Sequence, residues 1–487
     1  MTPVAQTLEA QTVERPTSTG RLAARLAETL ADRTAFERHR ERNLRQEVID
    51  GLQERIATDG VKYIYYTVPT LGARTVAKIV PAVHVVRNLE KGISFHRTAL
   101  SDLQTDRAGD LIGGGVEAHE FCALPDPETY ARLPWDTQVA RIFCTAYEPP
   151  HLPEVGGRLI PFDTRALLAV MHRAFTEVTG YELRSGLEPE MSWAGEGIAP
   201  VAKPGASPSY QVENLERMRP VYEKVISYAQ AMGLDMIEGD YEDTGQLELN
   251  WNYDRADLTC ERMVAYRQIC KQVARELGLQ ASFMPKPYNG QMGNGCHHNL
   301  SLWRGDENVV EDPDRVELHV TETARHAIGG LLEHAAGSMI AVAPTVNSYK
   351  RYWDAGQFAP NLANWGLDSR AAAVRISSNG RMEFRIPDAS VNPFLSHIFI
   401  LASIADGLER GIDPGPAFGE ESGDSIPRLL PTTLGDAIEA FRSDAYLQSV
   451  IPESLWSLYL ELKEDEWARY CGAITDYEFN TYWEAIP

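Results

Sequence analysis

Two glutamates one residue apart, in Gly186-Leu187-Glu188-Pro189-Glu190-Met191, constrain this chain more than any other feature. In an extended strand, residues i and i+2 point to the same face, so Glu188 and Glu190 project side by side. Neighbouring carboxylates repel unless a cation sits beside them. Further stretches offer matching ligands: Asp240-Tyr241-Glu242 with Glu248, then His297, then Glu383. Oxygen-rich ligands with one imidazole suit Mg²⁺ or Mn²⁺ better than a structural zinc. One acidic pair alone would read as a solvated strand face; four such segments in strand-like runs argue for a metal centre.

Composition narrows the partners. With 487 residues, 44% hydrophobic and 9% aromatic, the chain can build a large core, and length suggests two or three domains. A net charge of −23 argues against nucleic-acid binding, so an anionic substrate needs a local patch of arginines. No run of 18 apolar residues offers a membrane span, and the first residues, MTPVAQTLEAQTVERP, lack the basic flank and apolar stretch of a secretory signal. Cys122, Cys144, Cys260, Cys270, Cys296 and Cys471 show no C-x-x-C spacing, which reads as reduced thiols in a cytoplasm.

Residues 1–18 are polar and read as a mobile tail. From Gly20 to about Thr58 the pattern is helical; strand-like runs follow over 61–68 and 75–85, and Pro125-Asp126-Pro127 marks the expected end of a small α+β domain. Beyond 139, helices are expected over 166–179, 210–232 and 258–277, with short β-rich, motif-bearing segments between them. From Asn392 onward the pattern is mainly helical.

Six ordered motifs across residues 186–393 resemble the glutamine synthetase family. Beside the acidic pair they are Gly245-Gln246-Leu247-Glu248, Phe283-Met284-Pro285-Lys286-Pro287, Gly293-Asn294-Gly295-Cys296-His297-His298-Asn299-Leu300-Ser301, Asn347-Ser348-Tyr349-Lys350-Arg351, and Arg381-Met382-Glu383-Phe384-Arg385-Ile386-Pro387-Asp388. The resemblance implies an α+β fold: an N-terminal helix and β-grasp domain over 19–135, then a catalytic domain of antiparallel strands flanked by helices over 139–487. It also implies ATP and Mg²⁺ (or Mn²⁺) as cofactors, and a homo-oligomer, a dodecamer of two hexameric rings, with active sites between neighbouring subunits. One metal would take Glu190, Glu248 and either Asp240 or Glu242; the other would take Glu188, His297 and Glu383. Arg351 and Arg385 would hold the glutamate carboxylates, helped by the backbone of Gly293. Arg370 and Arg375 would hold the phosphates of ATP and of the acyl-phosphate intermediate. Ser301 falls at a nucleotide-contacting position. Asn299 stands where one branch carries a second histidine, and matches the G-C-H-x-N-x-S variant. Planar guanidinium forks suit both carboxylate and phosphate.

Two positions depart from the family pattern. Met292 replaces an asparagine before Gly293. In the flap segment Asp354-Ala355-Gly356-Gln357-Phe358-Ala359-Pro360, Phe358 stands where ammonia-using members carry a glutamate that attracts and deprotonates ammonium. Phe358 has no carboxylate, so an apolar aromatic there favours an amine bearing a carbon substituent; an aromatic face can hold an alkylammonium with about 0.5–2 kcal/mol of cation–π attraction. The alternative is that Phe358 packs the flap, with the base supplied by Asp354 or by no side chain. The resemblance thus points to ligation of L-glutamate to a small alkylamine such as methylamine, as in γ-glutamylamide synthetases. The alternatives are an ordinary ammonia-using glutamine synthetase and a non-catalytic family member with a structural role.

Overall fold

The computed structural model describes residues 20–199, 207–353, 358–419 and 428–485. The tail over 1–18 and the flap residues Asp354, Ala355, Gly356 and Gln357 lie outside the described residues.

Helices Arg21–Leu30, Ala35–Asn43 and Gln46–Asp59 lead into a mixed sheet. Its strands are β1 (Tyr63–Pro69), β2 (Thr75–Pro81), β3 (Ile93–His96), β4 (Glu120–Pro125), β5 (Ala131–Leu133) and β6 (Asp136–Tyr147). The order is β2-β1-β6-β4-β3, with β5 on the edge of β6; β1 and β6 run parallel and the other pairs antiparallel. This corrects the boundary expected between 135 and 139. Tyr63 pairs with Val139 and Thr67 with Phe143, so 136–147 is a central strand of the N-terminal sheet. The strand expected over 75–85 stops at Pro81 and passes through a short 3₁₀ turn into a helix, Val85–Lys91. Proline has no N–H to continue a ladder.

The catalytic sheet contains β7 (Glu182–Ala194), β8 (Met236–Tyr241), β9 (Gln246–Trp251), β10 (Asp254–Arg255), β11 (Gln280–Ser282), β12 (Cys296–Arg304) and β13 (Glu307–Asn308). After a small hairpin-like pair of β14 (Leu362–Ala363) with β18 (Arg428–Leu429), it is completed by β15 (Trp365–Leu367), β16 (Val374–Ile376) and β17 (Met382–Phe384). The order is β15-β16-β17-β12-β7-β9-β8, antiparallel except for β15 with β16.

Alternation along β7 separates core from site. Leu187, Met191 and Trp193 are buried in one cluster with Leu247, Leu249 and the inward face of the helix Ala256–Leu277 (Met263, Tyr266, Ile269, Cys270, Val273). Glu188 and Glu190 therefore face away from that helix. Behind the other half of the sheet, the helix Pro393–Arg410 is buried along most of its length and starts with the Asn392 side chain accepting from the backbone N–H groups of Phe394 and Leu395. Such a cap is worth about 1 kcal/mol. The helix Glu322–Glu333 crosses it closely: a Cβ on Gly330 would lie 2.0 Å from the Ser403 carbonyl oxygen, and one on Gly407 would lie 2.2 Å from that of His326. The expected helix over 210–232 is two helices, Val212–Arg217 and Arg219–Ala231. Pro220 in the first turn of the second cannot sit in the interior of one continuous helix.

Candidate active site

The sheet register assembles the ligands that the sequence scatters. Asp240 on β8 stands opposite Glu248 on β9, and Glu248 stands opposite Glu190 on β7. Glu188, two residues back on β7, faces His297 on β12. Asn299, two residues on along β12, faces Glu383 on β17, which faces Arg375 on β16. Partners across a ladder share a face. The acids and the imidazole thus form a nearly continuous line across five strands.

That line faces one cleft, lined by Glu188, Glu190, Asp240, Glu242, Glu248, His297 and Glu383, by Arg351, Arg370, Arg375, Arg381 and Arg385, and by Tyr210, Met292, Gly293, Phe358 and Ala359. Every residue the sequence suggested as a metal ligand is there. Ligand atoms of Glu188, Glu248 and His297 lie within 4.8 Å of one another. His297 Nδ1 is 3.4 Å from Glu188 and 3.6 Å from Glu383.

The electrostatics are those of a site built for cations. Burial, then the charges of Glu188 and Glu190, push the Glu248 carboxyl far above its ordinary value. Burial, then Glu190 and Glu238, raise Asp240 to about 6; burial, then Asp240 and Glu190, raise Glu242 to about 7. Burial would also raise Glu188, but hydrogen bonds from His297 and Asn299 and the charge of Arg381 hold it at about 2. Among the buried oxygens at the site that have no hydrogen-bond partner is a carboxylate oxygen, Asp240 Oδ1. A buried anionic oxygen without a donor is costly unless a cation meets it. The donor set fits a hard divalent ion.

Several ligands are themselves held in place. Asn299 Nδ2 donates to Glu188 Oε1 (2.7 Å), and Asn250 Nδ2 donates to Glu248 Oε1 (2.7 Å). Gln246 Nε2 and the Gly295 N–H both donate to Glu190 Oε2, at 2.9 and 2.7 Å. Glu383, 2% exposed, accepts from Arg385 Nη1 and, at 3.1 Å, from Arg375 Nη1. Arg375 also reaches Asp368 at 2.5 Å. Much of the donor capacity of Arg375 and Arg385 is thus engaged with carboxylates of the protein. Arg385 Nε donates to the Arg370 carbonyl (3.1 Å), linking two of the guanidinium-bearing segments. Arg351 is buried beneath Gly293 and donates to the Ile386 carbonyl at 3.2 Å.

Asn299 and Ser301 line an adjoining groove beyond Glu188, with Tyr253, Trp303, Asn308 and Arg381. Ser301 Oγ accepts from the Trp303 indole N–H at 2.8 Å. Glu188 and Arg381 border both spaces, so the groove is continuous with the acidic line.

Three residues at the site carried no assignment from sequence. Gln246 and Arg381 each lie two residues from an identified acid, Glu248 and Glu383, and the same i, i+2 rule would have found both. Tyr210 has no such signal. It reaches the cleft through a left-handed backbone (φ 59°) in a loop fastened to β8 by its N–H to the Tyr241 carbonyl at 2.9 Å.

Residues 178–482 match the family described as "Glutamine synthetase, catalytic domain". A glutamine synthetase from Rhizobium meliloti (strain 1021) is 31% identical over 440 residues, covering 87% of this chain and 96% of that protein. A glutamate–methylamine ligase from Methyloversatilis universalis is 30% identical over 457 residues, covering 89% and 98%. Among solved structures, "GmaS/ADP complex-Conformation 1" is similar with a TM-score of 0.77 and 30% identity, covering 89% of this chain and 99% of that one.

Proposed function

Because this chain belongs to the glutamine synthetase family of ATP-dependent carbon–nitrogen ligases, we propose that it joins the γ-carboxylate of L-glutamate to a small alkylamine such as methylamine. A γ-carboxylate oxygen attacks the γ-phosphorus of ATP and the bond to ADP breaks, giving γ-glutamyl phosphate. The alkylammonium gives up one proton, the neutral amine nitrogen attacks the acyl carbon, the bond to phosphate breaks, and a second proton leaves nitrogen for the released phosphate, so that the product is a neutral N-substituted glutamine. The observation that carries the choice of amine is Phe358, which lines the cleft where ammonia users carry an acid. A methyl group received by an apolar pocket supplies about 1–3 kcal/mol of discrimination. Similarity to a glutamate–methylamine ligase supports the same reading.

In this reading Glu190, Glu248 and Asp240 hold one ion, and Glu188, His297 and Glu383 the other. The ladder register favours Asp240 over Glu242, because Asp240 is cross-strand from Glu248 whereas Glu242 lies past the end of β8. Mg²⁺ or Mn²⁺ bound there would neutralise triphosphate charge and polarise the γ-phosphoryl group. Arg351 and Arg385 orient glutamate, with Gly293 leaving room for the Arg351 stem. Arg370 and Arg375 face the transferred phosphoryl group. Asn299 holds Glu188, and Ser301 borders the nucleotide. Assembly as a dodecamer of two hexameric rings belongs to the same proposal, and mass photometry of the purified protein checks it.

The second reading, ammonia as the nucleophile, draws support from the similarity to proteins named glutamine synthetase. A competition among ammonia, methylamine, ethylamine, ethanolamine and putrescine, with glutamate and ATP and the product identified by mass, separates the two. A preference for ammonia refutes the alkylamine reading.

A further inference from the structure

The ligase chemistry needs something to receive a cationic amine, and position 358 offers no charge. Among the described residues, the same cleft holds one acid that the two proposed metal triads leave over, Glu242. Its surroundings are a built arrangement. The hydroxyl of Tyr210 lies 3.5 Å from Glu242 Oε1, and the Arg370 guanidinium acts on both groups by its charge. The loop carrying Tyr210 is tied to the same short segment twice: Ser209 Oγ donates to the Glu242 carbonyl, and the Tyr210 N–H donates to that of Tyr241. The backbone of Glu242 is pinned by its N–H to the Gln246 carbonyl at 3.1 Å. Tyr210 adopts a left-handed conformation to take this place, and a non-glycine residue does so at a cost that functional sites commonly bear. Met292 and Phe358 line the same cleft and supply apolar surface.

Resting on the ligase reading above, we propose that Glu242 receives the amine nucleophile as its primary alkylammonium ion, with the Tyr210 hydroxyl beside it. The cation's N–H groups donate to the carboxylate, and the Tyr210 hydroxyl oxygen, 3.5 Å from Glu242 Oε1, accepts from the same cation. The alkyl substituent lies toward Phe358 and Met292. Charge attraction would thus come from Glu242 and apolar selection from Phe358 and Met292, on different segments of the chain.

The test is Glu242→Gln, which keeps shape and removes charge. In steady state at saturating glutamate, ATP and Mn²⁺, the KM for methylammonium rises roughly tenfold or more, the scale of a lost charge-assisted hydrogen bond. The KM for glutamate and the Mn²⁺ Kd, read by electron paramagnetic resonance, stay within about twofold, as expected of a group outside the metal triads. Calorimetric titration of methylammonium into protein saturated with Mn²⁺, ADP and glutamate gives the same weakening without turnover. An unchanged methylammonium KM and Kd overturns the assignment, as does a Mn²⁺ Kd that rises in step, since Glu242 would then be a metal ligand. A wild type that prefers ammonia refutes the alkylamine reading alone; the same comparison is then made on the ammonium KM.

Discussion

Gly293→Ala tests whether substrate binding depends on how the glycine loop seats Arg351. An added Cβ would lie 2.6 Å from the Pro285 carbonyl oxygen, 2.7 Å from Arg351 Cγ and 3.2 Å from Arg351 Cδ. Carbon–carbon contacts are comfortable at about 3.5–4.0 Å, so the overlap with Cγ is roughly 0.8 Å or more. Neither neighbour yields freely. The Pro285 carbonyl accepts from the Asn294 N–H at 2.7 Å, and Arg351, 5% exposed, is held by the Ile386 carbonyl. Overpacking of this kind costs about 1–3 kcal/mol. If Arg351 moves to relieve it, a misplacement near 1 Å costs on the order of 100-fold in rate. We expect kcat/KM for glutamate to fall about 30- to 100-fold, equivalent to about 2–2.7 kcal/mol. Thermal melting should drop by only a few degrees. Gly51→Ala is the control: a Cβ there meets nothing within 4 Å, in the helix Gln46–Asp59, so activity stays unchanged. Initial rates at varied glutamate decide it. A Gly293→Ala enzyme within threefold of wild type would show that this loop does not set the arginine that meets substrate.

Phe358→Glu should move the preference toward ammonia relative to methylamine, measured as the ratio of kcat/KM values; an unmoved ratio counts against the flap argument. In EDTA, Asp240 carries a pKa raised to about 6 by burial and by Glu190 and Glu238, so its contribution to stability is full below the ordinary carboxyl value and lost as pH rises through about 6. The melting temperature of Asp240→Asn should therefore gain on wild type as pH rises from about 4.5 to 7 in scanning fluorimetry, and the opposite trend refutes it. Adding Mn²⁺ should reverse that order at pH 7, because the ion stabilises only the wild-type carboxylate cluster. Asn299→Ala, which frees Glu188 Oε1 from a 2.7 Å donor, should weaken Mn²⁺ binding about 10- to 100-fold in titrations followed by electron paramagnetic resonance.

The side-by-side placement of the two glutamates was legible because strand geometry is local: Glu188 and Glu190 share a face whatever the rest of the chain does. Which of Asp240 and Glu242 stands cross-strand from Glu248 was not, since they also lie two residues apart and only the pairing of β8 with β9 separates them. The N-terminal boundary failed for a related reason. The run 136–147 reads plainly as a strand, but its parallel partner, β1, lies some 70 residues earlier, and no local signal names the partner. Pro81 and Pro220 break elements whose hydrophobic patterns continue past them, so periodicity alone overruns both ends. The arginines could be gathered by motif, but not their engagement: that Arg375 and Arg385 both grip Glu383 follows from β16 and β17 lying side by side.

The acidic line is drawn from positions 188 to 383, on strands that touch only once the whole sheet has zipped together. Neither proposed triad sits on a single strand: one draws on positions 190 to 248 and the other on positions 188 to 383. Capture of an ion there would therefore report on a sheet that has finished pairing. Divalent ions seated there would rivet neighbouring strands, so the side chains that hold them would also fasten the frame that carries them.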